Sequence, residues 1–152
     1  MRTFEQIFRR EGVKAAFVEG DSFHRYDRAE MKQKMAQAIE RGDQRFSHFG
    51  PEANLFKELE ALFRNYGSTG AGQVRRYLHN EEEAAAFGQP AGTFTSWENI
   101  QPDTDVLFYE GLHGAAADGD IDIAAHVDLR IGVVPVINLE WIQKLHRDRA
   151  DR

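Results

Sequence analysis

In Asp21-Ser22-Phe23-His24-Arg25-Tyr26-Asp27-Arg28, carboxylate, imidazole and two guanidinium groups fall within eight residues. That mixture suits a phosphorylated substrate that also bears a hydroxyl. Cations grip the phosphate, and a carboxylate takes a proton from the hydroxyl. The segment follows an apolar run, Val13 to Val18, that reads as a buried strand of a parallel sheet. Ligands of open α/β sheets bind just beyond such strand ends. A structural alternative stays open: a polar turn in which Asp21 or Ser22 caps the next helix.

Glu110 closes a second apolar run and precedes Gly111-Leu112-His113-Gly114. An acidic strand end beside a glycine-rich turn can hold Mg²⁺ near nucleotide phosphates, or can be a carboxylate at a loop. Near the other end, Lys144, Arg147 and Asp148 share a helix face. Those cations suit either a solvated helix end or a lid over a transferring phosphoryl group. Tyr77 and His79 alternate on one face of a possible strand, as cleft residues or as packing. His48 and His113 stand apart from other ligand types, so no metal site is read there. Gly67-Ser68-Thr69-Gly70-Ala71-Gly72-Gln73 looks like a phosphate loop but follows a helix and precedes a strand. A phosphate loop needs the reverse order, so this segment reads as a connector.

The elements that must position these groups alternate. A first helix carries Phe4, Ile7 and Phe8 and stops at Gly12; a strand then spans Val13 to Glu19. A helix is expected from Arg28 to Arg41, and another opening at Pro51 and Glu52 and ending near Gly67. Val74 to Leu78 reads as a short strand, Glu81 to Phe87 as a short helix, and Gly88 to Asp103 mostly as loop. Further strands are expected at Asp105 to Glu110 and Val127 to Val134, before a final helix around Leu139, Trp141 and Ile142. The order implies an α/β fold with a largely parallel sheet.

With 152 residues the chain suits one domain. A net charge of −6 argues against general nucleic-acid binding. No cysteine is present, which excludes disulfides and thiolate chemistry and fits a cytoplasmic protein. No apolar run approaches the ~20 residues that span a bilayer, and residues 1–12 are too charged for a secretory leader.

The segments FEQIFRREGVKA, EGDSFHRYDRAEMK, FSHFGPEANLFKELE, LFYEGLHGA and IGVVPVINLEWIQKLHRDRADR together resemble the proteobacterial type of phosphoribulokinase. The resemblance covers essentially the whole chain. It implies a P-loop NTPase-like fold, similar to nucleoside monophosphate kinases, with a mixed, mostly parallel sheet flanked by helices. It also implies transfer of the γ-phosphoryl group of ATP, with Mg²⁺, to the 1-hydroxyl of ribulose 5-phosphate in the Calvin cycle. Carried over residue by residue, it makes Asp21 the base, with Lys144 and Arg147 assisting transfer. His24, Arg28, Tyr77, His79 and Arg152 become sugar-phosphate residues, and Glu110 the acidic partner of Mg²⁺-ATP. Asp148 matches a second carboxylate, and Arg10 lies near a region tied to control by NADH and AMP. The family's members tend to form homo-oligomers.

Family members carry a strand and a glycine-rich phosphate loop ahead of the helix at Thr3 to Arg10, and continue past Arg152. Residues 1–152 therefore read as one kinase domain incomplete at both ends, lacking the ATP phosphate cradle and with little or no activity alone. Two further functions compete: a related kinase of uridine or pantothenate, and a noncatalytic protein that binds sugar phosphate or associates with intact subunits.

Overall fold

The computed structural model describes residues 2–134 and 136–150, with Arg2, Arg147, Asp148 and Ala150 described by backbone alone. In chain order come α1 (Arg2–Arg10), β1 (Ala15–Glu19), a 3₁₀ turn (Gly20–Phe23), α2 (Arg28–Glu40) and α3 (Phe56–Thr69). Then follow β2 (Gln73–Val74), α4 (Glu81–Ala85), β3 (Glu98–Asn99) and β4 (Val106–Glu110). The remainder is β5 (Ala117–Asp118), β6 (Ile121–Asp122), a second 3₁₀ turn (Ile123–His126) and α5 (Ile137–Ala150).

β1 and β4 pair in parallel, from Ala15 opposite Val106 to Glu19 opposite Glu110. Parallel strands need a crossover, and helices then cover both faces of the pair. Alternation along each strand sorts the side chains. Phe17 and Phe108 turn to one face and meet Phe4 and Phe8 of α1, with ring centroids 4.6–6.2 Å apart. Val18, Leu107 and Tyr109 join the opposite cluster with Leu59, Leu62 and Phe63 of α3 and Ile123. Phe63 meets Tyr109 edge-on at 5.3 Å. The α/β expectation therefore holds, and the two strand ends open on one edge.

Several boundaries depart from expectation. Val127 to Val134 forms no strand, and Leu129, Ile131, Val133 and Val134 are exposed. A buried parallel strand needs a ladder partner, and among the described residues the parallel sheet consists of β1 and β4 alone. The expected helix at Pro51 begins instead at Phe56. Residues before it bond across to the turn: Arg25 N donates to Ala53 O at 2.8 Å and Leu55 N to Phe23 O at 2.8 Å. At its other end α3 runs past Gly67 to Thr69, and Gly70 caps it with φ of 69°. The strand expected over Val74 to Leu78 shrinks to β2 plus a single bridge between Tyr77 and Phe94. Of the Gly67 to Gln73 segment, Gly67 to Thr69 end α3 and Gln73 opens β2, so the connector proper is Gly70 to Gly72, in the helix-then-strand order expected. No helix among the described residues is long and apolar enough to cross a membrane.

Candidate functional site

The helix that follows the first strand end is capped by Asp27. Its carboxylate accepts from Glu30 N at 2.8 Å, and the Glu30 carboxylate accepts from Asp27 N at 3.1 Å. This reciprocal pair satisfies the first turn of α2, so neither Asp21 nor Ser22 is needed as its cap. The 3₁₀ turn carrying Asp21 has no side-chain cap either. Asp21 is thus left to face the surroundings of the strand end.

Those surroundings are imidazoles. His24 Nε2 lies 3.3 Å from Asp21 Oδ1, and His79 Nε2 lies 3.7 Å from Asp21 Oδ2. The His24 bond, above all, holds the Asp21 carboxyl below its ordinary range, against the opposing effect of partial burial. The same bond raises His24, helped by Asn54 and opposed by burial and by the Arg75 cation. An ionised carboxylate therefore stands beside a protonatable ring.

Arg28, the first residue of α2, reaches across to donate from Nη2 to His79 O at 2.7 Å, its guanidinium 5.9 Å from the Tyr77 ring centre. Tyr77 and His79 meet edge-on at 4.9 Å, so the shared face expected of them exists without a regular strand. Asp21, His24, Arg28, Lys32, His48 and Tyr77 help to line a cavity of about 470 Å³. Small-molecule sites have this size, with few charged groups among apolar walls. A second hollow, about 50 Å³, opens on the other side of Asp21 and His24, toward Phe49, Leu112 and His113. Asp21 therefore borders both the main cavity and the turn after β4.

Glu110 ends β4 in register with Glu19 and is exposed. Among the described residues no group of three or more His, Cys, Asp or Glu gathers as a metal cage. One strand-end carboxylate fits instead a hydrated divalent cation whose other ligands are phosphate oxygens and water. Lys144 is exposed on α5 and does not line either cavity. The side chains of Arg147 and Asp148, and all of Arg152, lie outside the described residues. Arg10 ends α1 and pairs with the adjacent Glu11 at 2.8 Å in the open.

Three residues that shape the site escaped the sequence reading. Arg75 donates from Nε to Ser22 O at 2.9 Å and from Nη2 to His24 O at 2.6 Å, gripping the turn from behind. Its guanidinium lies 3.7 Å from the Phe94 ring centre and 4.8 Å from that of Trp97. Asn54, buried, bonds His24 Nδ1 at 2.8 Å. The Tyr109 hydroxyl is buried where β1 and β4 end, with no hydrogen-bond partner of good geometry among the described residues. A Cβ on Gly20 would sit 2.7 Å from that oxygen and 2.9 Å from Gly111 Cα, so both turns approach as closely as glycine allows. Burial pushes the Tyr109 phenol up to about 12, keeping it neutral. An arginine between aromatics, Arg75 to Trp97, is the sole sequence signal for the first; nothing local marks the others.

A family model described as Phosphoribulokinase / Uridine kinase family matches residues 1–152. The chain is 65% identical over 151 residues to the chromosomal phosphoribulokinase of Cupriavidus necator, covering 99% of this chain and 52% of that protein. It is 60% identical over 151 residues to a phosphoribulokinase of Nitrobacter vulgaris, with the same coverage. The solved phosphoribulokinase from Rhodobacter spheroides superposes with a TM-score of 0.86 at 55% identity, over 99% of this chain and 52% of that one. The chain thus spans about half the length of the relatives it matches.

Proposed function

The chain belongs to the phosphoribulokinase/uridine kinase family, and on that premise we propose that residues 1–152 carry the sugar-phosphate side of a kinase domain that phosphorylates ribulose 5-phosphate with ATP. The observation that carries this reading is the Asp21 carboxylate, flanked by His24 and His79 and bordering the cavity that Arg28 and Tyr77 also line. In the proposal, Arg28 and His24 hold the sugar phosphate by charge. Asp21, ionised at neutral pH, accepts a hydrogen bond from the sugar hydroxyl, aims the hydroxyl oxygen at the phosphorus and takes its proton as the new oxygen–phosphorus bond forms and the bond from phosphorus to the leaving ADP breaks. A loose phosphoryl-transfer transition state asks for positioning and charge compensation more than for covalent chemistry, which suits this set.

Glu110 would hold Mg²⁺ through its carboxylate, and that ion, when bound, neutralises charge on the nucleotide phosphates. Lys144, Arg147 and Arg152 supply further cations in this reading. Among the described residues no strand leads through a glycine-rich loop into a helix. The product, ribulose 1,5-bisphosphate, serves carbon fixation in the cytoplasm.

Calorimetry on the chain separates the readings. Ribulose 5-phosphate should bind saturably, uridine should not, and Arg28→Ala should weaken the sugar phosphate by about 10-fold or more, the worth of one charge-assisted contact. Equal binding of uridine would favour a nucleoside kinase. No difference between Arg28→Ala and the parent chain would remove the proposed phosphate grip.

A further inference from the structure

The carboxamide of Asn54 is 2% exposed and every polar atom in it is engaged. Its Nδ2 donates to the carbonyls of His48 at 2.9 Å and Gly50 at 2.8 Å, which uses both amide hydrogens. Its Oδ1 is the atom left for His24 Nδ1, at 2.8 Å. Turning the amide over would set its oxygen against two carbonyl oxygens, so this orientation follows from its partners. An amide oxygen accepts only, and the hydrogen on that bond therefore sits on His24 Nδ1. Main-chain bonds from Arg25 N to Ala53 O and from Leu55 N to Phe23 O bracket the two residues and fix their spacing.

We propose that Asn54 is a positioning residue that locks His24 as its Nδ1–H form and reserves Nε2 for the pocket side, opposite Asp21. A lone pair on Nε2 facing an ionised carboxylate at 3.3 Å is repulsive, whereas an N–H there is a charge-assisted donor. Protonation consequently falls on Nε2, and the ring becomes an imidazolium beside the base and the phosphate grip. Free histidine favours the opposite neutral tautomer, Nε2–H. With that tautomer, Nδ1 would lack a hydrogen for Asn54, and the ring could meet Asp21 without becoming charged. Asn54 thus makes the charge on His24 a condition of its contact with Asp21.

Other groups face the same ring. Asp21 couples it to His79, Arg75 bonds the His24 carbonyl, and His113 lies across the smaller hollow. Asp27, Arg28, Lys32 and His48 surround the main cavity. None of them contacts Nδ1, so the tautomer is the readout that isolates Asn54. The functional weight of the inference rests on the sugar-phosphate reading; the tautomer itself does not.

Nitrogen-15 NMR of the imidazole rings, in the chain without any substrate, tests it. Above its titration midpoint His24 should remain in the Nδ1–H form. In Asn54→Ala the neutral ring should shift to Nε2–H and its midpoint should fall by half a pH unit or more, about threefold in proton affinity. The resonances of His126, beside Glu60, and of His146, on α5, lie outside this network and should hold between variants. An Nε2–H ring in the parent chain overturns the proposal, as does an unchanged tautomer and midpoint in a folded Asn54→Ala. If Asn54→Ala does not fold, the parent-chain tautomer decides alone. Because no ligand is present, a failed calorimetric titration of ribulose 5-phosphate leaves this result untouched, and the reverse also holds.

Discussion

The turn that carries Asp21 and His24 and the helix that carries Lys144 are both rich in charge, but their neighbours treat them differently. Arg75 and Arg25 grip the main chain around the turn: Arg75 bonds Ser22 O and His24 O, while Arg25 bonds Glu52 O at 3.1 Å and Asn54 O at 3.2 Å. Phe23 packs beneath, 5.6 Å from the Trp97 ring. In α5, Leu139, Trp141, Ile142 and Leu145 are all more than half exposed, and the preceding Leu129 to Val134 run lies open as well. The first region has its charges placed by hydrogen bonds to main-chain carbonyls and a buried amide. The second has helical propensity and cations, and the side chains described on it form no packed face to aim them. The difference teaches that similar charge patterns are fixed to different degrees: carbonyls and a buried amide set the geometry of the first, and no such bonds are found for the second among the described residues.

The largest effect should come from breaking the grip on the turn. Arg75→Ala removes two charged hydrogen bonds to carbonyls and two aromatic contacts, and should lower unfolding free energy by about 3 kcal/mol in urea titrations. Arg75→Lys, which keeps charge but loses the fork, should fall between the two. A loss below about 0.5 kcal/mol for Arg75→Ala would show that the turn holds itself.

An intermediate effect should follow pH. Asp21 has its folded value lowered from 3.8, so its contribution is present above that value and is lost as pH falls toward the lower one. His24 has its folded value raised from 6.5, so its contribution is present below that value and is lost as pH rises through the higher one. The melting-temperature gap between the parent chain and His24→Gln should therefore be widest from about pH 4 to about pH 6.5 and should narrow on both sides. A gap that keeps widening above pH 8 would contradict the pairing.

The smallest effect belongs to the second region. Lys144→Ala should change unfolding free energy by less than about 0.5 kcal/mol, as for exposed surface sites. A loss comparable to that of Arg75→Ala would mean that α5 is anchored as firmly as the turn, and the contrast would fail.

Much of this was readable along the chain. The two apolar runs ending in Glu19 and Glu110 announced a parallel pair, because a strand buried on both faces must be apolar throughout. The amphipathic spacing of Leu59, Leu62 and Phe63 marked the helix that covers it. The run from Val127 to Val134 shows the limit of that logic. Its composition suits a buried strand, yet strand structure is a property of two partners and no ladder forms there. Pro51 likewise offered a reasonable helix start, but Ala53 and Leu55 bond across to the turn and delay the helix to Phe56.

The sequence by itself determined the strand ends, the cluster from Asp21 to Arg28 and the family, because apolar period and motif spacing are local properties of the chain. Only the tertiary structure decided which aspartate caps α2, which imidazoles meet Asp21, and which buried amide and guanidinium fix their placement. Asp27 and Asp21 are alike as residues and six positions apart. Hydrogen bonds with Glu30 occupy the first, and chain segments about 30 and 50 residues away bring Asn54 and Arg75 to His24, the imidazole that meets the second. The chemistry of a carboxylate follows from its partners, and partners distant in sequence are chosen by the fold.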